Sequence, residues 1–358
     1  MRERTRAILW TIVCLFLLMA GEITAFVFAW RTGTGAAIAE IVGFIIGYFF
    51  APIVHEIGHI LVAKSQKMHI AYAKFSFLKI YEKNGKKRLA FASPFTADET
   101  QAIPKTGGNI ERRARLYTLG GLMFGAVYLL VFSAIALALF FTVGGWISYG
   151  FFGVLPYGAY LFLVNVFPCE YANGKTDMKV YEGIKKGAPA EKTMLSAMEI
   201  QGKLYEGNAY AQIDEGLYFD TPQLAEDEPL FVVILHLRYR YYLDKGDMKN
   251  AADCLNRLAQ ASAYLTDAET ERIAAELVYM HALNGDKERA EACSKACATY
   301  LQSDVVAAKR VLATVARCFH QEEKASVLKA QAMQCLEKEN VIGERKLEEK
   351  LLSRLSLV

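Results

Sequence analysis

Residues 36–63 read AAIAEIVGFIIGYFFAPIVHEIGHILVA, an unbroken and mostly apolar run. An α-helix crosses the hydrocarbon core of a bilayer with about 20 apolar residues, at about 1.5 Å of rise each. The run is long enough, yet residues 55–59 within it are HEIGH. Ionisable side chains at that depth cost several kcal/mol unless they are gathered at a functional site. The stretch therefore predicts a membrane span and a site inside it.

Three further runs have the same character: 7–30, 116–141 and roughly 150–167. Nothing after residue 180 approaches them. With 53% hydrophobic and 22% charged residues the chain is too apolar to be disordered. Its halves differ in charge: residues 1–177 hold 17 Lys+Arg against 10 Asp+Glu, and residues 178–358 hold 24 against 28. The expected fold class is an all-α dominated, polytopic membrane protein with about four transmembrane helices, a small cytoplasmic β-hairpin and a C-terminal α-helical repeat domain. The expected domains are 1–180 in the membrane and 181–358 in the cytoplasm. The basic start MRERTR followed by ILWTIVCLFLLMA resembles a signal peptide, but the run continues to Trp30 without a small-x-small cleavage site, which predicts an uncleaved span.

Lys and Arg in short connections set orientation. Arg2, Arg4 and Arg6 place the N-terminus in the cytoplasm, and residues 64–113 carry eleven Lys+Arg against four acids. Both termini then lie in the cytoplasm, as in a multi-pass protein of a bacterial cytoplasmic membrane. The segments around 31–35 and 144–148 are the expected outer turns. Seven cysteines, five of them after residue 178, imply no disulfide framework. Cys293 and Cys297 are one helical turn apart, but no second pair of ligands accompanies them.

In HEIGH the helical spacing puts His55 and His59 on one face, where both imidazoles can bind one Zn2+, and Glu56 stands beside them to take a proton from water. Pro52 is expected to kink the helix just before the motif. Zinc needs a third protein ligand. The last run returns to the same side at residues 165–177, NVFPCEYANGKTD, which offers Asn173 and Asp177. A carboxylate is the better zinc ligand; the competing reading is that Asp177 only caps the following helix MKVYEGIKKG.

These residues resemble the site-2 protease family of intramembrane zinc metalloproteases. HEIGH is similar to its first motif, and Asn165, Pro168 and the later Asp are similar to its second, an Asn-x-x-Pro segment leading into Asp-Gly. Gly120, Gly121 and Gly125 in LGGLMFG look like its small-residue cluster. The resemblance covers roughly residues 36–180 and departs where many members carry Asp-Gly: here stand Asn173-Gly174, with Asp177 four residues on and followed by Met178. It implies a zinc-dependent peptide hydrolase in which Glu56 is catalytic, His55, His59 and Asp177 hold the metal, and Asn165 helps bind an unwound substrate segment. The substrate would be a membrane protein or peptide cut near the cytoplasmic side.

Other readings have their own signatures. Membrane prenyl-protein endopeptidases take a third ligand from a downstream E-x-x-x-D, which is not found in a later span. A catalytically inactive, site-2-protease-like scaffold would lack zinc. A metal transporter asks for polar residues spread along the spans.

Two β-prone runs flank Asn84-Gly85, a strong hairpin signal. Such a hairpin can offer a strand edge to a peptide, or lie on anionic lipid through Lys83, Lys86, Lys87 and Arg88. Glu40 is expected to reach the outer interface, and Glu22 to serve gating or packing. Gly121-x-x-x-Gly125 is expected to pack against the HEIGH helix.

In the C-terminal half GDMKNAADC at 246 and GDKERAEAC at 285 repeat with a period of 39, and KASVLKAQA after His320 is a weaker copy. Helix, Gly turn and Ala-rich helix resemble tetratricopeptide-like hairpins, which imply a regulatory protein or peptide partner. A helical cap is the plainer alternative. No nucleic-acid partner is expected.

Overall fold

The computed structural model describes residues 3–83, 86–94, 96, 98–171, 174–226, 228–261 and 265–355. They divide into two compact units, residues 1–103 with 109–191, and residues 104–108 with 192–358.

The first unit is built on α1 (Glu3–Thr32), α2 (Thr34–Ser65), α3 (Ile110–Thr142) and a fourth apolar segment split into α4 (Trp146–Gly153) and α5 (Leu155–Val166). All four segments are long and apolar enough to cross a membrane. The last begins at Trp146, before the position expected from sequence, because Gly144 and Gly145 make the turn in left-handed conformations, φ 64° and 76°. It breaks at Val154, whose carbonyl oxygen accepts a 2.8 Å hydrogen bond from the Tyr128 hydroxyl, and Pro156 opens α5. By contrast α2 runs as one helix through Pro52. Large apolar side chains such as Phe16 (71% exposed), Leu130 (72%) and Phe141 (78%) point outward from these helices, an inverted pattern for a surface in water.

Glycines let α2 sit at the centre, against α1, α3, α4 and α5. A Cβ on Gly43 would lie 2.0 Å from the Gly150 carbonyl oxygen, and one on Gly58 would lie 2.4 Å from that of Gly120. The helices touch backbone to backbone there, and any larger residue would push them apart. Gly125 does not join this seam. It faces Phe162 of α5, so the expected Gly121-x-x-x-Gly125 surface is Gly120-Gly121 instead. Glu40 is wholly buried, because α2 is enclosed at that level.

Between α2 and α3 the chain forms β1 (Met68–Phe75), β2 (Leu78–Lys83), β3 (Lys86–Phe91) and β4 (Glu99–Pro104), in the order β3-β2-β1-β4. The expected hairpin is thus part of a four-stranded sheet; β2 and β3 pair antiparallel with Leu78 opposite Phe91, and the turn residues Asn84-Gly85 lie outside the described residues. β4 escaped notice because ETQAIP is polar and ends in proline. After α5 come the short strands β5 (Glu170–Tyr171) and β6 (Gly174–Lys175), then α6 (Asp177–Lys186).

α7 (Pro189–Glu206) begins in the first unit and continues in the second. The second unit then holds α8 (Gly216–Phe219), α9 (Pro229–Lys245), α10 (Met248–Gln260), α11 (Asp267–Leu283), α12 (Lys287–Ala296), α13 (Ala298–Gln302), α14 (Val306–Cys318), α15 (Glu322–Leu336) and α16 (Ile342–Arg354). Three helical hairpins stand out, α9–α10, α11–α12 and α14–α15. Each turns on a left-handed residue: Gly246 (φ 81°), Gly285 (φ 73°) and His320 (φ 59°). Helices α10 and α12 are capped alike by Asp247 and Asp286, whose carboxylates accept from Asn250 N and Arg289 N. His320 stands at the turn of the third hairpin where the other two have glycine.

Candidate metal centre

His55 and His59 lie one turn apart on α2, both buried. Their partner arrives from α6. Thr176, and not Asp177, caps that helix: its Oγ1 accepts from Lys179 N at 3.4 Å and Cys169 N at 3.1 Å, and donates to the Phe167 carbonyl at 2.9 Å. One hydroxyl thereby ties the Pro168 bend to the start of α6. Asp177, in the first helical turn, is freed from capping and turns its carboxylate to the histidines.

Oδ2 of Asp177 lies 3.2 Å from Nε2 of His55 and 3.4 Å from Nε2 of His59, and the two Nε2 atoms are 3.3 Å apart. Nδ1 of His59 meets the Tyr117 carbonyl oxygen at 2.9 Å. A carbonyl only accepts, so Nδ1 carries the hydrogen and Nε2 of the neutral ring presents a lone pair. Oδ2 of Asp177 is buried without a hydrogen-bond partner among the described residues.

Three lone-pair atoms converging this closely repel unless a proton or a metal ion lies among them, and the set of two imidazole nitrogens and one carboxylate oxygen is one that zinc takes. Ligands about 2.0–2.1 Å from a tetrahedral zinc ion stand about 3.3–3.4 Å apart, which is the spacing found here. His55, His59 and Asp177 are the three-residue group with metal-ligand geometry among the described residues. A Cβ on Gly121 would lie 2.4 Å from Cε1 of His55 and 2.5 Å from Nε2 of either ring. Only glycine at that position leaves both imidazoles their place, so the donor set and its surroundings fit the metal.

Glu56 is buried beside the pair and accepts a 2.6 Å hydrogen bond on Oε2 from Oγ1 of Thr100, on β4. The Tyr117 hydroxyl donates to the Thr100 carbonyl. A short chain of contacts therefore runs from His59 through Tyr117 and Thr100 to Glu56. Asn165 lies in the last turn of α5, and its Nδ2 donates to the Leu161 carbonyl at 3.1 Å. Asn173 lies outside the described residues.

Sequence reasoning overlooked Thr100, Tyr117 and Thr176. A Thr directly before an acidic first helical turn is a capping signal that was available; Thr100 and Tyr117 carry no local signal. Comparison with protein-family models, curated proteins and solved structures finds no match to this chain.

Proposed function

We propose that the chain is a zinc-dependent intramembrane endopeptidase of the site-2 protease type, cutting a membrane-spanning or membrane-inserted protein or peptide near its cytoplasmic end. The observation that carries this reading is the meeting of His55 Nε2, His59 Nε2 and Asp177 Oδ2 beside the buried Glu56. Four apolar segments with outward-facing Phe and Leu support insertion in a bilayer, and the Lys and Arg of residues 64–113 support a cytoplasmic position for both termini.

In this reading His55, His59 and Asp177 hold the zinc ion. When bound, zinc polarises a peptide carbonyl and makes a water molecule acidic enough to lose a proton near neutral pH. Glu56 accepts the proton of the attacking water and passes it to the departing amine, after which its carboxylate is restored. Thr100 fixes the orientation of that carboxylate through Oε2. Tyr117 fixes the ring of His59 in the tautomer a metal ligand needs. β4 is an outer strand of its sheet, so an extended substrate segment paired with it would pass Glu56. A substrate helix must unwind first, since its carbonyls are otherwise hydrogen-bonded; holding the unwound segment is the role that the resemblance gives Asn165. The three helical hairpins of the second unit suit a tetratricopeptide-like domain that binds a regulatory protein or peptide.

The test compares wild-type chain with Glu56→Gln and Asp177→Ala, measuring zinc in the purified full-length protein and truncated membrane proteins in cells. Glu56→Gln is expected to keep zinc and lose cleavage; Asp177→Ala is expected to lose both. Full proteolysis by Glu56→Gln would overturn the mechanism.

A further inference from the structure

Glu22 on α1 and Glu40 on α2 lie far from the metal centre and face each other, carboxyl to carboxyl. Glu40 is 0% exposed, and neither of its carboxylate oxygens meets a donor among the described residues; Oε2 of Glu22 is buried and unpartnered in the same way. The backbone of α4 closes over this level of α2, since a Cβ on Gly153 would lie 2.1 Å from the Glu40 carbonyl oxygen.

Among the described side chains no base reaches the pair. The arginines of α1, Arg4, Arg6 and Arg31, stand at its ends, and on α2 His55 follows Glu40 by fifteen residues, about 22 Å along the axis. Other titratable groups on the helices packed there are Glu56, His59 and Lys64 farther along α2, Cys14, Tyr48, Tyr149, Tyr157 and Tyr160, and on α3 Tyr117 and Tyr128, with Glu111, Arg112, Arg113 and Arg115 in its first turns. Among the described residues none of them interacts with either carboxyl, and the ionisable neighbour of each is the other. Two ionised carboxylates are acceptors only, and brought together out of water they repel; a single proton turns one into a donor and the contact into a hydrogen bond.

We propose that Glu22 and Glu40 form a proton-binding site, holding one proton at neutral pH and joining α1 to α2 through a carboxyl–carboxylate hydrogen bond. This site stands whether or not the chain is a peptidase. The bound proton removes one of the two negative charges and supplies the donor that the remaining carboxylate otherwise lacks.

The test uses the full-length protein in lipid nanodiscs. Dicyclohexylcarbodiimide, an apolar reagent that adds to protonated carboxyls, is expected to label Glu22 at pH 7 and to spare the solvent-facing Glu322 and Glu323, as read by peptide mass spectrometry. Infrared spectra at pH 7 are expected to contain a protonated-carboxyl carbonyl band that the Glu22→Gln/Glu40→Gln double variant lacks. If that variant does not fold, loss of the wild-type band and of labelling on raising the pH is the corresponding readout. Absence of both band and adduct at pH 7 would overturn the proposal. Protection from labelling by sodium but not by choline, at fixed pH, would also overturn it and put a metal cation between the carboxyls.

Discussion

Oγ1 of Thr100 donates a 2.6 Å hydrogen bond to Oε2 of Glu56, joining the outer strand β4 to the acid beside the two histidines. The bond is charge-assisted, a class that contributes about 1.5–3 kcal/mol. Thr100→Val keeps the shape and removes the donor. It is expected to lower kcat about 10- to 100-fold with little change in KM, since each 1.4 kcal/mol is tenfold in rate. Thr100→Ser should restore most of the rate, and zinc content should be the same in all three proteins. Equal activity of the Val variant would mean that Glu56 is oriented by something else.

Gly121 and Gly125 look equivalent in the sequence, and the structure separates them. A Cβ at 121 would meet the imidazole rings at 2.4–2.5 Å, whereas one at 125 meets Phe162 at 3.4 Å, close to ordinary contact. Gly121→Ala is therefore expected to reduce zinc in the purified protein severalfold or more, and Gly125→Ala to leave it near the wild-type level. Metal analysis at matched folding, judged by circular dichroism, decides between them.

The legible parts of this molecule were those with a period or a length. The apolar runs announced the long helices, and the His55–His59 spacing announced a shared face, because both depend on residues within one helix. Asp177 was visible as a nearby carboxylate, yet its release from capping duty depended on Thr176 taking that role, a competition that residue types alone do not settle. Glu22 and Glu40 are eighteen residues apart on different helices, so their meeting is a tertiary fact. Thr100 sits in a polar strand that no alternation marked.

The second unit rests on a buried charge network. Arg310, wholly buried, donates at 2.6 Å to both Glu348 Oε2 and Glu276 Oε1, and Arg240 reaches Glu344 at 2.9 Å. The contacts join α9, α11, α14 and α16. Removing one member strands the others, which typically costs about 3–5 kcal/mol. Arg310→Met is expected to lower the urea midpoint of unfolding of this unit by a corresponding amount. Burial would raise the Glu276 carboxyl, but Arg310 and Arg240 outweigh it and hold it below its ordinary range. A depressed acid contributes stability above its unfolded pKa of about 4.3 that fades as pH falls. The wild-type unit should thus weaken below about pH 4.3 more steeply than Glu276→Gln.

The hairpin β2–β3 gives a test of depth. Its apolar end lies beside the middle of α2: Phe77, in the turn before β2, meets Phe49 with ring centroids 6.1 Å apart, and Phe91 pairs with Leu78 next to that turn. Leu89 and Phe91 are 67% and 81% exposed, while Lys87 and Arg88 follow toward the other end. If α2 spans the bilayer, Phe91 sits among acyl chains and Lys87 at the cytoplasmic headgroups. Single cysteines in a background without the native thiols should divide accordingly. Position 34 should react with a membrane-impermeant thiol reagent added outside intact cells, position 87 only in inverted vesicles, and position 91 in neither until detergent is added. Labelling of position 87 from outside would invert the topology, and rapid labelling of position 91 in inverted vesicles would show the sheet standing in water instead of lipid.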